Sequence, residues 1–183
     1  INGNGHTYTL DNATSIHAIV TQNSVTTSCD ILNLIVVRTG AVGTSPSDNC
    51  ALRLGVNANG IINCAGSTFK NSGGGLGILF DSNAVFELNY ATAIADSIYG
   101  SIFIGSGSGQ RLNHCIGYTT SGKALSAWNS GELNNCIGIA DSGIGIYGKG
   151  NHSNCTGISK TGIGYDLISG SGFNCVGRST SGD

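Results

Sequence analysis

The sequence predicts an all-β fold: a single-stranded, right-handed parallel β-helix, which is a solenoid with rungs of about 20 residues. Over residues 112–183 one segment occurs four times, as NHCIGYTTSG, NNCIGIADSG, SNCTGISKTG and FNCVGRSTSG. Its cysteines, Cys115, Cys136, Cys155 and Cys175, lie 21, 19 and 20 residues apart. The sequence also has one proline and no amphipathic segment long enough for a helix. A short period without helical segments is typical of stacked β-strands.

Each repeat contains two short runs that are typical of strands. In the second copy they are residues 136–139 and 144–147, bounded by Ser-Gly and Gly-Lys-Gly turns. Residues 88–97 align with residues 133–142, which places Ala91 in the column of the cysteines. We expect every strand to pair with its counterpart one rung away. Nine or so rungs, at a strand spacing of about 4.8 Å, predict a rod roughly 43 Å long.

The chain is predicted to form one β-helix domain over residues 1–183, since 183 residues require no second core. Residues 1–48 are expected to form less regular rungs, with a surface loop at 41–48, and residues 49–183 to form regular ones. Solenoids need caps at both ends, and this sequence starts at Ile1, has no methionine and stops within a repeat. We therefore expect it to be an excerpt of a longer polypeptide.

Composition excludes several classes of partner. Charged residues make up 10% of the chain and the net charge is −2, so no basic face is expected and nucleic acid is not a predicted partner. No apolar run approaches the length of about 18 residues that a membrane span requires, so membrane insertion is not predicted. No two cysteines lie within a few residues of each other, and we predict neither a metal nor a cofactor.

The cysteine column is expected to contain free thiols. Stacked positions lie about 4.8 Å apart, but their parallel Cβ vectors keep the Cβ atoms farther apart than the roughly 3.8 Å that a disulfide prefers. Buried thiols that pack as small apolar groups are the simpler interpretation.

Alternation along the first strand predicts which side chains face inward. The third position after the cysteine holds Ser67, Tyr118, Ile139, Ile158 and Arg178, which favours an outward column. The cysteines and the glycines Gly66, Gly117, Gly138, Gly157 and Gly177 would then face inward. This leaves an outward apolar stripe, Ile116, Ile137, Ile139, Ile158 and Val176, which favours cover by another chain. The alternative is a bulge that reverses the parity and makes these residues core.

Two acids are candidate catalytic residues. The fifth position after the cysteine holds Phe69, Asp96, Thr120, Asp141, Lys160 and Thr180. Asp96 and Asp141 lie two rungs apart, about 9.6 Å, near the upper end of the separation between acid and base in inverting glycoside hydrolases. The alternative is that a regular repeat brings acids into register without catalysis, and that Asp141 only forms an exposed ion pair with Lys160.

Four aromatic residues of the regular half, Tyr118, Trp128, Tyr147 and Tyr165, are candidate carbohydrate-binding platforms on which sugar rings would stack. The alternative for each of them is packing in the core or in an interface. His114 and His152 flank cysteines, and we expect them to be turn or face residues and not catalytic groups.

The first residues resemble right-handed parallel β-helix proteins of the pectate-lyase-like superfamily, which often open with I-x-G-x-G-x-T and then I-x-N-L-x-V. The matching positions are Ile1, Gly3, Gly5 and Thr7, then Ile31, Asn33, Leu34 and Val36. The repeat "N-C-x-G" followed by "S/T-G-x-G-I" resembles the β-helical shaft of a bacteriophage tailspike or tail fibre. That resemblance implies a homotrimer in the extracellular virion tail whose outer faces bind host cell-surface polysaccharide and often depolymerise it. No catalytic motif of that family maps onto this sequence.

Three functions follow from these patterns. The first is a virion receptor-binding segment that binds, and in its catalytic form depolymerises, host polysaccharide as a glycosidase or lyase. The second is a secreted polysaccharide lyase or glycoside hydrolase, although the sequence lacks the clustered acids that such lyases use to hold calcium. The third is a structural or adhesive β-helix without catalysis, secreted or held on a bacterial cell surface.

Overall fold

The computed structural model describes residues 1–11, 18–20, 26–39, 49–81, 83–96, 100–105, 108–128 and 131–181. Within these ranges the chain forms one sheet of 18 β-strands, and no helix that could cross a membrane occurs there. The strand pairings are parallel and join successive turns of the chain. The predicted all-β solenoid of stacked parallel strands is confirmed. The loop predicted at 41–48 lies outside the described residues.

Each turn of the solenoid passes through three faces. The first face stacks β1 (Thr7–Leu10), β4 (Ile35–Arg38), β7 (Thr68–Asn71), β10 (Thr92–Ala95), the beginnings of β13 (Ile116–Ala127) and β15 (Ile137–Ser153), β16 (Thr156–Ser159) and β18 (Val176–Ser179). The second stacks β2 (Ile19–Val20), β5 (Cys50–Leu54), β8 (Leu76–Phe80), β11 (Ile102–Ile104), the later parts of β13 and β15, and the beginning of β17 (Ile163–Phe173). The third stacks β3 (Thr26–Asp30), β6 (Asn59–Asn63), β9 (Val85–Asn89), β12 (Arg111–Asn113), β14 (Glu132–Asn134) and the ends of β15 and β17.

Each turn contains three strands, one in each face, whereas the sequence predicted two. The third face escaped detection because its strands are short, three residues in β14, and because β15 runs for 17 residues through all three faces without a break. Among the described residues eight strands stack in the first face and seven in each of the others, against the nine or so rungs expected.

Alternate residues of each strand point into a continuous apolar interior. The inner residues of the second and third faces are mostly Leu and Ile, as at Leu52, Ile78, Ile102, Leu125 and Ile146, and at Ile62, Leu88, Leu112 and Leu133. On the first face Gly117, Gly138 and Gly157 are buried, whereas Ile116 and Ile137 are exposed. The predicted parity is confirmed for the regular rungs, and the alternative of a parity-reversing bulge is wrong.

The turn after Cys64 breaks the predicted alignment. The link from Asn63 to Thr68 contains four residues, two more than the link from Asn89 to Thr92, and in it the Ser67 amide donates to the Cys64 carbonyl at 2.9 Å. Thr68 consequently pairs with Thr92, and Phe69 faces the interior beside Ala93. The predictions that Gly66 faces inward and that Phe69 belongs to the column of Asp96 are therefore wrong. Gly66 is exposed at a φ of +69°, and Ser67 is buried.

The predicted column of inward, free thiols is confirmed. Cys115, Cys136 and Cys155 are buried, Cys175 is half-buried, and Ala91 occupies the same place one turn earlier. The buried thiols donate to main-chain carbonyls at 3.3 Å, for example Cys155 to Leu133. Hydrogen bonding with Cys115 and burial raise the pKa of Cys136, and burial raises the pKa of Cys64 to about 12. The thiols of Cys64 and Cys136 therefore stay protonated and pack as small core groups.

A ladder of side-chain hydrogen bonds ties the third-face strands together. Its members are Asp30, Asn63, Asn89, Asn113, Asn134 and Ser153, each one turn from the next. Each side chain donates to the preceding one at distances of 2.6 to 3.0 Å. Since each amide finds a partner one turn away, the ladder satisfies polar groups that would be costly to leave unpaired in a half-buried position.

Candidate functional site

The residues that directly follow the first-face strands form an outer column along the solenoid. The column contains Ser72, Asp96, Thr120, Asp141, Lys160 and Thr180. The register of the strands stacks these positions, so Asp96 and Asp141 lie two levels apart with Thr120 between them. The spacing predicted for the two acids is thus present in the fold.

Both acids of the outer column are engaged by neighbouring side chains. The Thr120 hydroxyl donates to the Asp96 carboxylate. The Tyr118 hydroxyl donates to Asp141 Oδ2 at 2.6 Å, and Lys160 Nζ lies 2.6 Å from Asp141 Oδ1. The Lys160 ammonium and then the Tyr118 hydroxyl hold the pKa of the Asp141 carboxyl below its usual value. Since a general acid needs a raised pKa, Asp141 suits the binding of polar groups better than proton donation.

A groove of about 240 Å³ lies beside the outer column on the first face. Lys70, Asp96, Tyr118 and Thr120 contribute to its lining, with Ile94 as an apolar wall. With Ser72, which also lines it, the groove combines one cation, one carboxylate and three hydroxyls, a set of groups that can form hydrogen bonds with the hydroxyls of a sugar.

An aromatic cluster lies on the second face and consists of Phe103, Trp128 and Tyr147. The ring centroids of Trp128 and Tyr147 are 5.8 Å apart at 60°, and those of Trp128 and Phe103 are 6.4 Å apart at 43°. Phe103 and Tyr147 share one outer file with Ser126 between them, and the small Ser126 side chain leaves room for the Trp128 ring. Trp128 remains 43% exposed.

Lys123 places a cation in the aromatic cluster. Its Nζ lies 3.4 Å from the ring centroid of Tyr147 and 4.8 Å from that of Trp128. Both distances fall within the range of cation–π attraction. Burial lowers the pKa of Lys123, and the carboxylate of Asp166 opposes that shift. The cluster thus presents an exposed aromatic ring and an ammonium on one outer surface.

The four predicted aromatic platforms do not share one surface. Trp128 and Tyr147 lie together on the second face, while Tyr118 belongs to the first face and donates to Asp141. Tyr165 pairs with Ile146 in the inner file of the second face and packs against the core, where burial raises its pKa. Tyr165 therefore does not share the outer surface of Trp128 and Tyr147.

The two histidines beside cysteines have different environments. His114 is an exposed turn residue, as predicted, and its ring stacks on Tyr90 with centroids 4.9 Å apart. His152 lies in the inner file of the third face and is 2% exposed, so its prediction as a turn or face residue is wrong. A hydrogen bond of 2.5 Å joins its Nδ1 to the Tyr165 hydroxyl. Burial lowers the pKa of His152 to about 4.

Tyr90, Phe103 and Lys123 are surface residues that the sequence reading missed. For Tyr90 a signal existed, since the alignment of residues 88–97 with 133–142 places it opposite Asn135. For Phe103 and Lys123 no local motif existed, because their contacts join different turns of the solenoid. No group of three or more His, Cys, Asp or Glu residues in the described part of the chain is arranged to hold a metal ion.

Comparisons of the chain with protein-family models, with curated proteins and with solved structures find no match. The fold and the surfaces described above define a parallel β-solenoid that carries an aromatic cluster on its second face and a polar outer column beside its first face.

Proposed function

We propose that this chain is a polysaccharide-binding β-solenoid of the kind found in the shafts of bacteriophage tailspikes and tail fibres. Its ligand is host cell-surface polysaccharide, and its location is the virion tail, outside the cell. A secreted or bacterial cell-surface adhesin is the alternative location. The proposal extends the resemblance of the repeat, and the aromatic cluster on the second face is the observation that supports it most directly.

The chemistry of the aromatic cluster suits a sugar ring. The C–H groups on one face of a pyranose are apolar and weakly positive, and they pack against the negative face of an aromatic ring. Trp128 offers such a ring at the surface, and Lys123 beside it offers an N–H donor for a hydroxyl or a carboxylate. The surrounding surface carries few charges, so it would not require a charged partner.

Substitution of Trp128 tests the proposal. We expect Trp128→Ala to weaken polysaccharide binding about tenfold, because losing a stacked ring of about 1.4 kcal/mol corresponds to that factor. Titration calorimetry with purified capsular or O-antigen polysaccharides measures the affinity. Val85→Ala is the matched control, since Val85 is an apolar residue of similar exposure, 41%, on the third face and away from the cluster. The proposal fails when the unaltered protein binds none of the polysaccharides, or when Trp128→Ala binds as tightly as the unaltered protein.

Depolymerisation is a second candidate, supported by the position of Asp96 and Asp141 in one outer column. Since Asp141 is held ionised and both acids are engaged, we expect binding without cleavage. Incubation with the bound polysaccharide should therefore release no new reducing or unsaturated ends. Ends that appear, and then disappear in both Asp96→Asn and Asp141→Asn, would instead establish a glycosidase or lyase.

We also propose that the chain forms a homotrimer through its first face. The outward stripe of this face is apolar over several turns, and Ile137 within it is 37% exposed. An apolar patch of this length on a monomer favours association, which supports cover by other copies.

A further inference from the structure

A row of residues with left-handed backbone conformation lies at the corner between the third and first faces. This corner row consists of Tyr90, His114, Asn135, Asn154 and Asn174, with φ between 52° and 58°. The amide of each of the first four donates, at 2.9 Å, to the residue that ends the third-face strand one turn on. The five side chains therefore follow one another at the strand spacing of about 4.8 Å, and all are exposed.

Tyr90, the first residue of the corner row, is of a residue type that rarely adopts the left-handed conformation. Asparagine adopts the left-handed conformation with little strain, and histidine does so more often than most residues, whereas a bulky tyrosine is an outlier there. Tyr90 is also 53% exposed, so its ring adds little to the core. Its contact with the His114 ring, at an interplanar angle of 18°, offsets part of the strain. Exposed residues that are held in a strained backbone conformation are often functional.

The lower part of the corner row offers polar groups. The side-chain amide of Asn135 forms no hydrogen bond within the part of the chain that the structure describes. Asn174 Nδ2 donates to Asn154 Oδ1 at 2.9 Å, which leaves the Asn154 amide nitrogen and the Asn174 oxygen for other partners. An aromatic pair is thus followed by amide donors and acceptors at regular spacing along one line.

We propose that the corner row is a second saccharide-binding surface, in which the Tyr90 ring stacks on a sugar and the asparagine amides bind hydroxyls of the following sugars. The class of the ligand rests on the proposed function; the site does not, since it lies apart from the aromatic cluster. A linear polymer laid along the solenoid fits a row that is one side chain wide. A stable protein interface requires about 1,200 Å² or more and an apolar centre, which this polar corner does not offer.

Replacement of Tyr90 by the residue typical of the row separates binding from folding. Asparagine suits the backbone, so Tyr90→Asn should keep or raise the melting temperature, by about 2–4 °C for a gain typical of such relief. The same variant should bind the polysaccharide about tenfold more weakly. Calorimetric titration and thermal unfolding by circular dichroism give both values for the unaltered protein, Tyr90→Asn, Trp128→Ala and the control Val85→Asn, which changes an exposed residue of the third face.

The outcomes distinguish the site from the proposed function. Weaker binding by Tyr90→Asn at an unchanged or higher melting temperature supports the corner row. Unchanged binding by Tyr90→Asn, together with weaker binding by Trp128→Ala, overturns the corner row and leaves the aromatic cluster as the binding surface. A lower melting temperature of Tyr90→Asn would show that Tyr90 and His114 stack for stability, and it would also overturn the corner row as a binding surface. Failure of the unaltered protein to bind any polysaccharide, or binding of a protein instead, overturns both.

Discussion

Glycines in the first-face strands decide how closely the first and second faces approach each other. A Cβ atom at Gly138 would collide with the carbonyl oxygen of Gly145 on the second face and would lie 2.8 Å from Ile146 Cγ1. In earlier turns the same inner position holds Phe69 and then Ala93, both buried. The interior therefore narrows along the chain, and the glycine of the repeat "N-C-x-G" is a packing requirement.

Gly138→Ala should destabilise the fold. We expect a loss of about 1–3 kcal/mol, because the added methyl meets backbone that cannot move without disturbing two stacks of strands. Chemical denaturation monitored by circular dichroism measures the difference. Gly172→Ala is the control, since its Cβ would meet no heavy atom closer than 3.7 Å, at Leu167 Cδ2. Equal stability of the Gly138→Ala variant and the unaltered protein would contradict the close approach of the two faces.

His152 makes the stability of the solenoid depend on pH. Its folded-state pKa of about 4 lies below the ordinary value of 6.5 because burial disfavours the charged ring. The unfolded chain therefore binds a proton between these values that the folded chain does not. The contribution of neutral His152 is fully present above pH 6.5 and is lost as the pH falls toward 4, by about 3 kcal/mol in total.

Comparison with His152→Leu isolates this effect. Leucine occupies the same inner file at Leu133, so it fits the position and removes the titrating group. We expect the free energy of unfolding to fall less steeply between pH 6.5 and 4 in the variant, as measured by urea denaturation at several pH values. Tyr165 contacts His152 and stays neutral in this range because burial raises its pKa, so it does not mask the difference. Identical slopes would show that His152 titrates normally and is not buried.

At the scale of elements, the sequence repeat was enough to predict most of the strand arrangement. A period of about 20 residues with strand-length apolar runs predicts parallel stacking, and alternation within the repeat predicts the inward direction of the cysteines and glycines. The sequence could not reveal the third face, since β14 spans only Glu132–Asn134 and its asparagine pairs with neighbours one turn away and not within the segment. Insertions such as the two extra residues between Asn63 and Thr68 also shift the register without changing the composition.

The sequence likewise predicted some parts of the candidate sites and missed others. Asp96 and Asp141 occur at equivalent positions of the repeat, so the sequence placed them in one column. The aromatic cluster draws Phe103 from one turn and Tyr147 from a turn two levels away, with Trp128 from the segment after β13 between them. The sequence alone gives no signal for that contact, because its residues lie in different turns of the solenoid. The direction of Tyr165 was equally hidden, because it depends on the parity of the second face.

For the whole molecule, the first face is the surface with the longest apolar outer files. These files consist mainly of Thr, Ile and Val over eight levels, with Lys70 at the third level and Arg178 at the last as charged members. The third face, in contrast, has an outer file that includes Glu87, Arg111 and Glu132, and Arg111 and Glu132 form an ion pair at 2.7 Å. Charged outer files keep a sheet face in water, whereas a flat β-branched face favours association.

Ile137→Lys should therefore convert the proposed homotrimer into a monomer at the same protein concentration, because it places an unpaired ammonium at the centre of the apolar stripe. Light scattering coupled to size-exclusion chromatography measures the mass of each species. Val85→Lys is the matched control, since Val85 is an exposed apolar residue of similar accessibility, 41%, on the third face. A monomeric unaltered protein at micromolar concentration would overturn the homotrimer, and a trimer that persists in Ile137→Lys would show that the stripe is not its interface.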